Sequence, residues 1–306
     1  MVPNAVLNTI RETDAEVLLD APLARRVWWR VGGPADALVT VTSTATLAKV
    51  VRTAHDAGVP VVALGNGSNV LVHDAGIRGI VVVLDGDLAE VTAIPDSFDL
   101  WAGAGLRLTV LLARAKRKGW TGLECFAGIP GTVGGAVRMN AGSTLGETKD
   151  ALVSAEVVGP DGAVRLLSRD QLAMSYRTTR LPEGAIVTRA RLHTTGADPQ
   201  ASEARTKAFL EHRKATQPLD LPSCGSTFRN PPGDAAGRLI EAAGLKGFTV
   251  GGAQVSPKHA NFVVNLGDAT ADDIRKVIAH VITTVAAVHG VTLEREVLYL
   301  GGPRAR

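Results

Sequence analysis

The chain has 306 residues, 45% hydrophobic and 21% charged, a balance that excludes a disordered chain and allows roughly two to three domains. Its net charge is only +3 and its basic residues are scattered, which argues against nucleic acid and favours small anionic ligands. No apolar run reaches the ~18 residues of a membrane span, no secretory signal is expected, and two cysteines, Cys125 and Cys224, suit a cytoplasmic setting.

Residues 1–30 carry little pattern. An alternating run over 35–41 predicts a strand, and Leu47, Val50, Val51 and Ala54 mark one face of a helix stopped at Gly58. A short apolar strand, 59–64, follows and ends in the turn Gly65-Asn66-Gly67-Ser68-Asn69. That turn lacks the third glycine of a Rossmann fingerprint and the Lys-Ser/Thr ending of a P-loop. A second α+β segment begins near Leu88, with a strand at 100–104 and a helix striped by Leu108, Leu111, Leu112 and Ala115 that stops at Gly119.

The stretch 122–142 comes next, with glycines at 128, 131, 134 and 135. Glycines permit positive φ angles that turn successive N–H groups to one concave side, a nest suited to a diphosphate. A tightly packed glycine corner is the alternative. Residues 151–158 and 164–167 predict a hairpin about Asp161-Gly162, and Ser168 with Gln171 predicts a capped helix reaching Ser175-Tyr176-Arg177. After a strand at 186–192, the turn-rich segment 193–202 reads as a domain boundary. Helices are expected at 203–215 and 234–243, a strand at 261–265, and a long helix between Thr270 and Gly290. A last strand, 291–300, would put Glu294 and Glu296 on one face.

The histidines and cysteines show no metal-ligand spacing, and no Gly-x-Ser-x-Gly elbow is present. Ser226, in a proline-bounded loop, is either a hydroxyl aimed into a cavity or a turn serine bonded to its own backbone. Arg177 is either a carboxylate clamp or a surface arginine. Glu296, between apolar neighbours, is either a proton donor or a paired structural acid, with Glu294 as competitor. His259 is a ligand contact or a satisfied loop histidine, and Cys224 reads as a packing residue.

Seven blocks carry a closer identification: 30–35, 65–69, 128–136, 139–142, 175–177, 225–231 and 293–297. In order and together they resemble the UDP-N-acetylenolpyruvoylglucosamine reductase (MurB) family, in its compact branch without an extra tyrosine-bearing loop. The resemblance implies an α+β architecture. An FAD-binding fold of the p-cresol methylhydroxylase type would consist of two α+β subdomains, 1–86 and 87–198. A C-terminal α+β substrate-binding domain would cover 199–306.

By the same resemblance, FAD is held without a covalent link by Arg30, Gly65, Asn66, Gly67, Ser68, Asn69, Gly128, Ile129, Gly131, Thr132, Gly134, Gly135 and Ala136. No histidine lies within 65–71 to form a histidyl-flavin bond. NADPH is implied as co-substrate. A UDP-sugar carrying an enolpyruvyl group is implied as substrate, contacted by Tyr176, Arg229, Asn230 and His259. The implied catalytic roles are proton donor for Ser226, carboxylate clamp for Arg177 and polarising or reprotonating partner for Glu296. Two departures stand out. Leu298 replaces a common arginine, and Cys224 replaces a common alanine, which predicts sensitivity to thiol reagents. Another flavin oxidoreductase or oxidase on this fold, and a non-catalytic flavin module, are the competing readings. The oligomeric state is left open, with a monomer compatible.

Overall fold

The weakly patterned first thirty residues contain regular structure. Helix α1 (Asn4–Arg11) buries Val6, Leu7 and Ile10, and strand Glu16–Pro22 follows. The structure is a computed structural model and describes residues 1–302; the last four residues of the expected 199–306 domain lie outside the described residues. Its contacts divide the chain into two units, Met1–Ala21, Asp36–Asn66, Arg78–Leu210 and Pro22–Ala35, Gly67–Ile77, Glu211–Arg306.

The first unit is built on two sheets. One has four strands in the order Glu16–Pro22, Pro34–Val41, Ile77–Leu84, Val61–Ala63, and its last two strands run parallel. Helix α2 (Thr44–Asp56), capped by the Ser43 hydroxyl, places Leu47, Val50, Val51 and Ala54 in a core with Val39, Ile80 and Val82. Burying such aliphatic side chains contributes about 1.5–3 kcal/mol each. The other sheet has five strands in the order Val164–Ser168, Leu152–Val158, Ile186–His193, Asp99–Gly103, Val91–Ala93, each antiparallel to its neighbour. Its hairpin turns at Gly162, whose φ is 74°. Helix α3 (Leu108–Lys118) ends at Gly119 in the left-handed conformation, as the stop signal predicted.

Two expectations fail here. Within 122–142 the structure forms a helix, α4 (Val133–Met139), where only a turn was expected. Thr132 caps it, and core residues Val133, Ala136 and Val137 fix it despite the low helix propensity of Gly134 and Gly135. Conversely, no helix joins Ser168 to Arg177. The reciprocal Ser168–Gln171 bonds form, but the chain then closes a tight turn in which Ser175 and Thr178 exchange backbone hydrogen bonds.

The second unit centres on helix Ala271–His289, opened by a Thr270–Asp273 capping box and closed by Gly290 at φ 68°. Its apolar stripe, Ile274, Val277, Ile278, Val281 and Val285, packs with Trp29, Phe228, Leu239 and Val263. A three-stranded antiparallel sheet lies alongside, Thr249–Val250, Ala253–Val255 and Val263–Asn265. Trp29 is fully buried; its indole donates to Val263 O at 2.7 Å, and Asn265 donates to its carbonyl at 2.8 Å. The expected final strand is shorter. Only Leu298–Leu300 pairs, parallel to Val70–Val72, while Arg295 forms a single bridge with Phe228. Glu294 and Glu296 therefore precede the strand.

Candidate active site

In the first unit Gly65 and Asn66, which open one glycine turn, meet the 128–136 stretch. The Asn66 amide donates to Pro130 O at 2.6 Å, and a Cβ on Gly65 would sit 2.6 Å from the Thr132 hydroxyl. Among the described residues, no N–H from Gly65 to Asn69 donates a hydrogen bond, so this backbone is available to an anion. The 128–136 stretch differs from the expected nest. Of its glycines only Gly128 has a positive φ, 68°. The N–H groups of Val133, Gly134 and Gly135 are already bonded to Leu106 O, Ala104 O and the Thr132 hydroxyl.

Glycine is required at 134 for close approach, because a Cβ there would meet the Ala104 Cβ at 2.8 Å. Gly134→Ala should therefore destabilise the protein by on the order of 1–3 kcal/mol through overpacking, more than its gain in helix propensity returns. A fall in Tm checks this. Ile129 is half-buried, and Gly131 O accepts Leu108 N–H at 3.0 Å. A backbone cradle that tolerates no side chain at Gly65 fits a dinucleotide diphosphate, so Gly65, Asn66 and the Gly128–Thr132 backbone are the groups of this unit suited to hold FAD.

Arg177 sits at φ 54° in the tight turn, a conformation that is uncommon outside glycine. Its guanidinium donates to Gly142 O at 2.9 Å and lies 5.2 Å from the centroid of the half-exposed Tyr176 ring. Asn140, fully buried at φ 40°, ties the turn down by donating to Ser175 O at 2.8 Å and to Glu147 at 3.1 Å. The block 139–142 marks Asn140, but not its role, which depends on tertiary burial.

In the second unit Arg30 is also left-handed, at φ 58°, and its side chain is exposed. Gly67, at φ 64°, packs so closely that a Cβ would lie 2.2 Å from Arg26 O. Ser68 and Asn69 are half-buried. Asn69 is also a strut, since its amide donates to Glu296 O at 3.2 Å and its carbonyl accepts Leu298 N–H at 3.0 Å.

Ser226 is half-buried between Gly225, at φ 73°, and the fully buried Thr227. Among the described residues its hydroxyl makes no hydrogen bond, so the turn-serine alternative is not realised. Glu296 N–H donates to Thr227 O at 2.9 Å, which brings the segments of Ser226 and Glu296 into register. Glu294 faces Arg229 at 3.9 Å on the solvent side. Asn230 accepts Ala236 N–H at 3.0 Å and so orders the start of helix Ala236–Ala242.

Cys224 is buried and its thiol is pushed up to about 12 by burial, which corrects the expected sensitivity to thiol reagents. The Leu298 backbone lies in the short parallel pair opposite Val70. Among the described residues no cluster of three or more potential metal ligands occurs, and no helix is long and apolar enough to cross a membrane.

His259 is half-buried; its Nδ1 accepts Asn261 N–H at 3.3 Å, which puts the proton of the neutral ring on Nε2 as a donor. Burial lowers its pKa below 6.5; a backbone hydrogen bond opposes this, the Lys246 charge lowers it further, and Glu241 pulls weakly the other way. The unfolded chain thus binds the proton first as pH falls. Stability from neutral His259 is complete above the unfolded value of 6.5 and declines below it, down to the folded value. His259→Gln, which cannot ionise, should lose less Tm than the wild type between about pH 7 and about pH 5.

Two family models match the chain, an FAD binding domain over residues 35–168 and the UDP-N-acetylenolpyruvoylglucosamine reductase C-terminal domain over 217–300. The UDP-N-acetylenolpyruvoylglucosamine reductase of Anaeromyxobacter sp. (strain Fw109-5) is 47% identical over 291 residues, 95% of this chain and 91% of that protein. The Methylococcus capsulatus (strain Bath) reductase is 44% identical over 305 residues, 97% of this chain and all of its own length. The crystal structure of UDP-N-acetylenolpyruvylglucosamine reductase from Thermus caldophilus matches with a TM-score of 0.80 and 39% identity, covering 94% of this chain and 98% of that one. The chain belongs to the UDP-N-acetylenolpyruvoylglucosamine reductase family and is an FAD-dependent oxidoreductase with an FAD-binding domain followed by that family's C-terminal domain.

Proposed function

We propose that the protein uses NADPH and non-covalently bound FAD to reduce the enolpyruvyl group of UDP-N-acetylglucosamine enolpyruvate. The product is UDP-N-acetylmuramate, a peptidoglycan precursor made in the cytoplasm. The observation that carries the reading is the pairing of the Ser226–Thr227 segment with Glu296 beside the Asn69 turn, within one unit. In this reading the boundary near 86 divides two FAD-binding subdomains, and the one near 198 separates them from the substrate domain. The segments 22–35 and 67–77 are the first subdomain's contributions to the second unit.

FAD, when bound, supplies the hydride that NADPH provides. Arg30, the 65–69 turn and, within 128–136, the Gly128–Thr132 backbone would hold it, with Gly134, Gly135 and Ala136 shaping the wall behind. The chain's own residues manage the substrate. Arg177, preset by its Gly142 bond, grips the enolpyruvyl carboxylate and offsets the charge that builds there. Ser226 then gives its hydroxyl proton to the enolate carbon. A serine hydroxyl is a weak acid, so the transfer depends on prior stabilisation of that enolate. Glu296 polarises or reprotonates the system. Tyr176, Arg229, Asn230 and His259 contact the UDP-sugar, the neutral His259 as an Nε2–H donor.

The test is turnover. Purified protein with NADPH should convert the enolpyruvyl UDP-sugar to UDP-N-acetylmuramate, one NADPH oxidised per product. NADPH oxidation that depends on oxygen and ignores the sugar would favour an oxidase on the same fold instead.

A further inference from the structure

We propose that Asn261 is a positioning residue that aligns two parts of the substrate site at once, the loop carrying Ser226 and the ring of His259. This rests on the reading of Ser226 as proton donor. Asn261 is only 4% exposed, and all four of its polar groups serve these two loops. Its Oδ1 accepts Phe228 N–H at 2.9 Å, and its Nδ2 donates to Phe228 O at 2.9 Å. The side-chain amide thus pairs with the Phe228 backbone as a neighbouring strand would, and this pairing also fixes which way the amide faces. Its carbonyl accepts Thr227 N–H at 2.8 Å, and its own N–H donates to His259 Nδ1 at 3.3 Å.

Ser226 needs such support from one side in particular. On its N-terminal side the chain is anchored at the buried Cys224, but Gly225 between Cys224 and Ser226 is left-handed, and a Cβ built there meets nothing within 4 Å. On its C-terminal side Thr227 and Phe228 are held by Asn261, and Thr227 O accepts Glu296 N–H. The place of the Ser226 hydroxyl is therefore set through Asn261. An apolar residue at 261 would leave the buried N–H and C=O of Phe228 without these partners.

The experiment compares wild type, Asn261→Asp, Ser226→Ala and the double variant as FAD-loaded proteins under anaerobic conditions. Aspartate keeps the shape and the acceptor for Phe228 N–H but sets an oxygen against Phe228 O. Expected are unchanged FAD content, unchanged bleaching by NADPH, and recovery of colour with the enolpyruvyl UDP-sugar slowed by on the order of 10–100-fold. The solvent deuterium isotope effect on that recovery should rise, and amide exchange at Thr227 and Phe228 should accelerate. In the Ser226→Ala background the Asn261→Asp change should add less than about 2-fold, because it acts through the missing hydroxyl. Equal slowing of both half-reactions, or the same loss with and without Ser226, would overturn the inference. Ser226→Ala recovering colour at the wild-type rate would overturn the proton-donor reading and this inference with it. A slow Ser226→Ala beside a wild-type-like Asn261→Asp would overturn this inference alone. If the aspartate variant does not fold, Asn261→Ser is read by the same criteria.

Discussion

Ser226→Ala is expected to bind FAD normally and to bleach normally with NADPH, yet to turn over the enolpyruvyl UDP-sugar on the order of 10²–10⁴-fold more slowly. The reason is local. The hydroxyl is half-buried and makes no hydrogen bond among the described residues, so its removal leaves no protein group unsatisfied and costs the fold little. What is lost is the proton for the enolate carbon. Rapid-mixing absorbance, with the two half-reactions followed separately, checks the split. Equal loss in both halves would point to damage to the fold and not to proton delivery.

Arg177→Lys is the second large effect, on the order of 10²–10³-fold in kcat/KM for the enolpyruvyl substrate, with bleaching by NADPH unchanged. Lysine keeps the charge but not the planar fork that grips a carboxylate with two parallel bonds. Arg177 also holds a left-handed φ of 54° and a bond to Gly142 O, both of which preset the guanidinium. Such a backbone costs on the order of 1–3 kcal/mol and persists where the surroundings over-determine it, here through Asn140 and the Ser175–Thr178 bonds. Steady-state kinetics with varied UDP-sugar measures the loss. A lysine variant with wild-type kcat/KM would remove the clamp role.

The parts of the fold that were legible in the sequence are those written in local chemistry. Gly119 and Gly290 end their helices in the left-handed conformation, Thr270 caps the longest helix, and Gly162 turns the hairpin. What was hidden is what tertiary packing decides. Helix α4 forms across Gly134 and Gly135 because Thr132 caps it and Ala104 leaves room for nothing larger. The Ser168–Gln171 pair, a sound helix-start signal, closes a turn instead, where Asn140 takes hold of Ser175.

The candidate site was legible chiefly as a set of ordered motifs. Taken singly, Ser226, Arg177 and Glu296 each had an ordinary structural alternative. The last strand illustrates the limit. Its alternation suggested a continuous run through Glu294 and Glu296, whereas the chain bridges Phe228 at Arg295 and pairs again only from Leu298. Asn140 is legible only as part of the motif block 139–142, and Asn261 carries no sequence signal at all, since a buried amide and an exposed one are spelled alike.

The most direct measurement is anaerobic visible absorption of the purified protein. The solution should be yellow, should bleach on addition of NADPH, and should regain its colour when the enolpyruvyl UDP-sugar is added, with UDP-N-acetylmuramate appearing in step. Protein that stays colourless with added FAD, or bleached protein whose colour oxygen restores and the UDP-sugar does not, would contradict it.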